Sequence, residues 1–288
     1  MPPNSAPKPP ARYRPQLTDA ARPSTFDVPT RDEHGAAGVA AVAGEHPLTV
    51  YVDKREILTL MTLGAAPEAL VLGYLRNQRL VDDIEEIVAV QVDWEVNAAS
   101  VYTRTGLVDL DEKMEHRTKT TGCGSGTVFG DLMADIDDIS LPTGVQLKQS
   151  TLYALSELVR KHETIYKQAG AVHGCALFSL TPELLYFVED VGRHNAVDAI
   201  AGMMWLDGVT GGDKIFYTTG RLTSEMVIKA AQMGVPFLVS RSGLTQMGYE
   251  IAKRVGMTMI GRAVNKHFLL FNDPGRFVFD ATATGAPA

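Results

Sequence analysis

From residue 145 onward the chain alternates short apolar runs with helix-patterned segments. That rhythm is satisfied by a sheet covered with helices on both faces. Leu152, Leu155, Val159 and Tyr166 form an apolar stripe on a helix predicted to open at Ser150 and close at Gly170. Strands are predicted at Ala176–Leu180, Leu184–Val188, Lys214–Tyr217, Pro236–Ser240 and Met257–Gly261. Helices fall between them at Asn195–Leu206, Ser224–Met233 and Leu244–Val255, and His267–Phe271 adds a last strand. The expected fold class is α/β, with a three-layer αβα sandwich over 145–273 and a tail at 274–288.

The region before it reads differently. Leu48–Val52 and Ile57–Leu60 alternate like hairpin strands, Pro67 opens a helix running to Leu80, and Ile87–Trp94 and Ala99–Arg104 form another strand pair. Residues 45–144 are therefore expected to form a smaller α+β region. Residues 1–44 stand apart: Pro2, Pro3, Pro7, Pro9, Pro10, Pro15, Pro23 and Pro29 are eight of the fifteen prolines. A stretch so poor in large apolar residues predicts a disordered tail.

Composition narrows the function classes. The 288 residues carry 27 Lys+Arg against 34 Asp+Glu, a formal net charge of −7, which argues against a nucleic-acid partner. Only Cys123 and Cys175 are present, too few for a disulfide framework or a thiolate-rich zinc site. No apolar run approaches the length of a membrane span, and the start lacks a secretory apolar core, so a cytoplasmic location is expected.

Two stretches carry candidate chemistry. In the run Arg117–Thr127, Cys123 sits between Gly122 and Gly124, with His116, Arg117 and Lys119 upstream. Basic neighbours favour the thiolate, and flanking glycines let a partner approach the sulfur. The competing reading is a glycine-rich phosphate loop, although no Lys-Ser/Thr follows as a P-loop requires. Cys175, at the start of an apolar strand, reads as a small buried hydrophobe.

The second stretch is Glu189–Asp198, a crowded polar run from a strand end into a helix start, containing Arg193 and His194. Thr218–Glu225 with Arg221, and Ser240–Thr245 with Arg241, repeat its ingredients at equivalent strand ends. Capping alone accounts for any one of them; three on one edge suggest a phosphate-bearing ligand, matched by arginines and backbone amides. The segment Arg262, Ala263, Val264, Asn265, Lys266 and His267 follows a further strand and is placed to close over it. His162 and His267 by themselves read as structural or solvated, and His173 as intermediate.

Together, Thr121-Gly122-Cys123-Gly124, Val172-His173, Glu189–Asp198, Gly220-Arg221, Ser224–Val227 and Leu238–Ser242 resemble the formate dehydrogenase accessory sulfurtransferase (FdhD) family over roughly residues 45–272. The resemblance implies a fold similar to cytidine deaminases. It implies a sulfurtransferase that takes persulfide sulfur from a cysteine desulfurase on Cys123. The sulfur passes to the molybdenum or tungsten bis(molybdopterin guanine dinucleotide) cofactor, carried as cargo with no permanently bound metal, before that cofactor enters formate dehydrogenase. It further implies a homodimer, cofactor binding by Arg262–His267, and phosphates held by strand-end amides with Arg193, His194, Arg221 or Arg241. The chain departs from the family in places: the usual second loop cysteine is replaced in Cys123-Gly124-Ser125-Gly126, Ala199 stands where lysine is common, and Gly243-Leu244 replaces Ala-Pro. The segment Arg262–His267 lacks the usual phenylalanines. A non-catalytic cofactor carrier is the alternative implied by the missing cysteine. A zinc deaminase is disfavoured because His173-Gly174-Cys175 lacks the following Glu and no Pro-Cys-x-x-Cys occurs.

Overall fold

A six-stranded sheet organises the C-terminal half of the computed structural model, which describes residues 13–106 and 135–281. Its strands are β9 (His173–Ser179), β10 (Leu184–Asp190), β11 (Lys214–Thr218), β12 (Phe237–Ser240), β13 (Thr258–Val264) and β14 (His267–Asn272), in the order β10-β9-β11-β12-β13-β14. Strands β11, β12 and β13 are parallel, whereas β9 is antiparallel to both of its neighbours, as β14 is to β13. The carboxyl ends of β10, β11, β12 and β13 therefore share one edge with the amino ends of β9 and β14.

Alternation along the strands divides their side chains between two layers. Cys175, Leu177, Phe216, Leu238 and Met259 face one core, and Ala176, Phe178, Ile215, Tyr217, Phe237, Val239 and Ile260 the other. Helices α4 (Arg193–Asp207), α5 (Ser224–Gln232) and α6 (Gln246–Arg254) supply side chains to the first core. Helix α2 (Gln149–His162) and the short strand β15 (Phe277–Val278) fill the second with Leu152, Leu155, Val159 and Phe277. The mixed α/β architecture with helices on both faces agrees with the sequence rhythm.

The N-terminal half is a second, five-stranded sheet: β1 (Gln16–Leu17), β6 (Ile87–Asp93), β7 (Ala98–Thr103), β4 (His46–Val52) and β5 (Arg55–Thr62), in that order. Helix α1 (Pro67–Asn77) lies between this sheet and α4. One buried cluster runs without a break from Leu48, Val50 and Val90 through Leu70 and Leu75 to Ile200, Phe216 and Met259. At the α1–α4 crossing, Gly73 and Gly202 face the opposite backbone. A Cβ on Gly73 would lie 1.7 Å from the Asp198 carbonyl oxygen, and one on Gly202 1.9 Å from that of Ala69. Only glycine permits so close an approach.

Several expectations need correction. Within the expected tail 1–44, residues 13–44 are built into the fold, and residues 1–12 lie outside the described residues. Strand β1 pairs with β6, and β2 (Thr25–Arg31) forms a hairpin with β3 (Ala37–Ala43). Long-range hydrogen bonds hold the first part down: Tyr13 Oη donates to the Ile87 carbonyl at 2.6 Å, Ala20 N to Glu68 Oε1 at 2.8 Å, and Trp94 Nε1 to the Ala20 carbonyl at 2.6 Å. Local composition carries no trace of them.

The expected tail after 273 also packs, with Phe277 buried, Arg276 N donating to Asp273 Oδ1 at 2.8 Å and Ser150 Oγ donating to Asp280 Oδ2 at 2.7 Å. Ser150 thus serves that contact and does not cap its helix, whose N-cap is Lys148. The predicted 150–170 helix is two helices, α2 and α3 (Ile165–Ala169), broken at Glu163-Thr164.

Candidate functional site

The shared strand-end edge is tied together by its own backbone and hydroxyl groups. Thr219 N donates to the Gly174 carbonyl, and Gly174 N to Thr219 Oγ1 at 3.0 Å. Ser240 Oγ donates to the Gly220 carbonyl at 2.6 Å and accepts from Ser242 N at 2.9 Å, while Arg241 N donates to the Thr218 carbonyl at 3.1 Å. Arg262 N continues the chain of contacts to the Ser242 carbonyl at 2.8 Å. The loops after β11 and β12 and the end of β13, separated by some twenty residues each in sequence, are thereby locked side by side.

Three arginines, Arg193, Arg221 and Arg241, share this edge with His173: Arg193 packs on Gly220, Arg221 follows that glycine, and Arg241 N reaches the Thr218 carbonyl. Burial lowers the His173 pKa below its ordinary 6.5, and the charges of Arg193, Arg221 and Arg241 each lower it further. Arg193 lies across Gly220, whose Cα is so close that a Cβ there would meet Arg193 Cδ at 2.9 Å. Arg241 is held from two sides: Glu163 Oε1 accepts from its Nη1 at 3.3 Å, and its guanidinium lies over the Tyr166 ring, 5.3 Å from the centroid. Beside it a cavity of about 120 Å³ is lined by Arg160, Glu163, Tyr217, Arg241 and Asn265. Three guanidinium groups gathered along one strand-end edge suit an oxyanion.

The acidic residues of the Glu189–Asp198 run are structural. Glu189 accepts from the backbone N–H groups of Thr164, Ile165 and Tyr166 and so caps α3 and places Tyr166. Asp190 fastens the edge to the first sheet: its Oδ2 accepts from Thr62 Oγ1 at 2.6 Å and Leu63 N at 3.1 Å, and its Oδ1 from Gly192 N and Asn195 Nδ2. Asp198 accepts from Asn77 Nδ2 at 2.7 Å and pairs with the buried Lys229 at 2.6 Å.

The sequence-selected residues do not all share one surface. Arg193, Arg221 and Arg241 come together. His194 is buried at the α4 terminus, 3.4 Å from Glu225, beside the ionic network of Glu225, Lys229 and Asp198. In Arg262–His267, Arg262 abuts the Ser242 loop. The Ala263 side chain packs in the core and offers a ligand only backbone, and Val264, Asn265, Lys266 and His267 form the exposed β13–β14 turn. Burial pushes the Cys175 thiol up to about 12, with Sγ 3.3 Å from Thr218 Oγ1, so it is the inert residue expected. Cys123 and its loop lie outside the described residues. The contributions of Glu163 and Tyr166 were not foreseen: Tyr166 read as part of an apolar helix stripe, and the break at Glu163-Thr164 that brings both to Arg241 has no local signal.

The FdhD/NarQ family model matches residues 43–278. The chain belongs to the FdhD/NarQ family. Among curated relatives of this FdhD/NarQ chain, the sulfur carrier protein FdhD of Bacillus licheniformis is 30% identical over 240 residues, covering 83% of this chain and 90% of the relative. The sulfur carrier protein FdhD of Wolinella succinogenes is 26% identical over 235 residues, covering 82% of each. A crystal structure described as a formate dehydrogenase accessory protein from Desulfotalea psychrophila superposes with a TM-score of 0.70 at 26% identity, covering 88% of this chain and 98% of that one. No helix among the described residues is long and apolar enough to cross a membrane.

Proposed function

We propose that this chain is a cytoplasmic sulfur carrier that serves formate dehydrogenase, with Cys123 as the sulfur-bearing residue. The observation that carries the reading is that Arg193, Arg221 and Arg241 share one strand-end edge with His173, within a chain whose relatives are named as sulfur carriers. The Cys123 thiolate attacks the outer sulfur of a persulfide on a cysteine desulfurase. A new S–S bond forms at Cys123, the donor's S–S bond breaks, and the donor cysteine leaves as a thiolate. The substrate that receives the outer sulfur is the molybdenum bis(molybdopterin guanine dinucleotide) cofactor. Its phosphates take the three guanidinium groups, and the Arg262–His267 turn borders it through Arg262, Asn265 and Lys266. A homodimer, and a central unit of the cytidine-deaminase type, belong to this reading.

The test is intact-mass measurement after incubation with a cysteine desulfurase and cysteine. Wild type should gain about one sulfur atom, removable by a thiol reductant, and Cys123→Ala should gain none. A Cys123→Ala protein that still supports formate dehydrogenase maturation would overturn sulfur transfer in favour of a non-catalytic cofactor carrier. Replacing Arg193, Arg221 and Arg241 together by Gln should weaken guanosine diphosphate binding at least tenfold while leaving sulfur loading intact.

A further inference from the structure

On the opposite side of the six-stranded sheet from the arginine edge, where α1, α4 and α5 end, two adjoining cavities of about 360 and 220 Å³ have no part in the proposed chemistry. Arg76 and Gln232 line both. Arg76 is a largely desolvated cation: its guanidinium lies over the Trp205 ring, 5.8 Å from the centroid, and Nη1 donates to the Ala201 carbonyl at 3.3 Å. Burial lowers its pKa, and among the described residues no carboxylate pairs with it. Gln232 is odder still. Both its Nε2 and its Oε1 are shielded from solvent and bonded to no other described group. A buried side-chain amide with neither end satisfied costs free energy that native proteins normally recover from a partner. Rotating it into either cavity breaks no existing hydrogen bond.

The two groups demand complementary things. The guanidinium wants a carboxylate in its plane. The primary amide wants a donor and an acceptor side by side, as the backbone N–H and C=O of one extended residue present them. The larger cavity falls within the range of small-molecule sites, and its wall past Trp205 is apolar through Met204, Val209 and Met233. We infer that these cavities form a second binding site, for an acidic residue of an extended peptide: its side-chain carboxylate on Arg76 and its own backbone amide and carbonyl on Gln232. The inference stands apart from the sulfur-carrier reading, since it uses none of the same residues.

Trp205 is the natural reporter, because the only other tryptophan is Trp94. In the full-length Trp94→Phe protein, titration with N-acetyl-aspartyl-N-methylamide should give a saturable change in Trp205 fluorescence. The neutral N-acetyl-asparaginyl-N-methylamide should bind at least tenfold more weakly. Arg76→Met and Gln232→Leu should each weaken the aspartyl compound at least tenfold, and Gln232→Leu alone should unfold at higher temperature than its parent because the unsatisfied amide is gone. No saturable response would overturn the proposal. So would inorganic phosphate binding as tightly as the aspartyl compound with no loss in Gln232→Leu, since the site would then recognise a bare anion. A lowered unfolding temperature for Gln232→Leu would mean that the amide already has a partner, and would overturn it as well.

Discussion

Gly73→Ala puts the fold's tightest contact to the test. The added Cβ would sit 1.7 Å from the Asp198 carbonyl oxygen and 2.7 Å from Gly202 N, where ordinary contact begins near 3.4 Å. Relieving the overlap requires α1 and α4 to part by roughly 1.7 Å, because backbone on both sides leaves no side chain to rotate away. A gap of about 0.5–1 Å already forfeits a quarter to a half of a dispersion well, so most of the packing between the two helices is lost. Overpacking ordinarily costs about 1–3 kcal/mol, and a rigid backbone clash belongs at or above the top of that range. At about 3 kcal/mol, a chain of this size should melt some 6–12 °C lower. Chemical denaturation of wild type and Gly73→Ala, with Gly202→Ala and the double variant, measures it. The double variant should cost clearly less than the sum, since either methyl alone already parts the helices. A Gly73→Ala protein within about 1 kcal/mol of wild type, or strict additivity, would refute the close crossing.

Other consequences are quicker to state. Because His173 is held below its ordinary 6.5 by burial and three arginines, the unfolded chain takes up a proton that the folded one resists, and stability should fall as pH drops below about 6.5. An oxyanion bound among the arginines opposes that shift, so guanosine diphosphate should bind more tightly as pH falls through this window, with proton uptake visible by calorimetry in two buffers of different ionisation enthalpy. Lys229→Met leaves Asp198 and Glu225 buried without their cation and should cost about 3–5 kcal/mol in denaturant titrations. Cys175, with its thiol near 12, should stay unmodified by iodoacetamide at pH 8 in the native protein and react once it is unfolded, as peptide mapping would reveal.

What was legible in the sequence was whatever repeats with a local period. The strands from β9 to β14 and helices α4 to α6 lie within a few residues of their predicted bounds, because each is an apolar run or stripe bounded by turn and capping residues. The same reading picked out Arg193, Arg221 and Arg241, since strand ends in such sheets gather on one edge. It erred wherever the decisive partner is remote. Residues 13–22 look like linker yet are fixed by Ile87, Glu68 and Trp94. His194 reads as a ligand group beside Arg193, and its contact with Glu225, about thirty residues on, has no local signal. Gly73 and Gly202 carry no local signal of their role, which depends on the backbone of the opposite helix.

The unbroken core between the two sheets has a consequence for how the protein unfolds. Neither half keeps its apolar surface covered without the other, so the two sheets should unfold in one transition, and a fragment carrying only one of them should not fold alone. The α1–α4 crossing and the Asp190 carboxylate, which ties the strand-end edge to Thr62 and Leu63, join them across that boundary. Order at the arginine edge is thus tied to order in the N-terminal sheet.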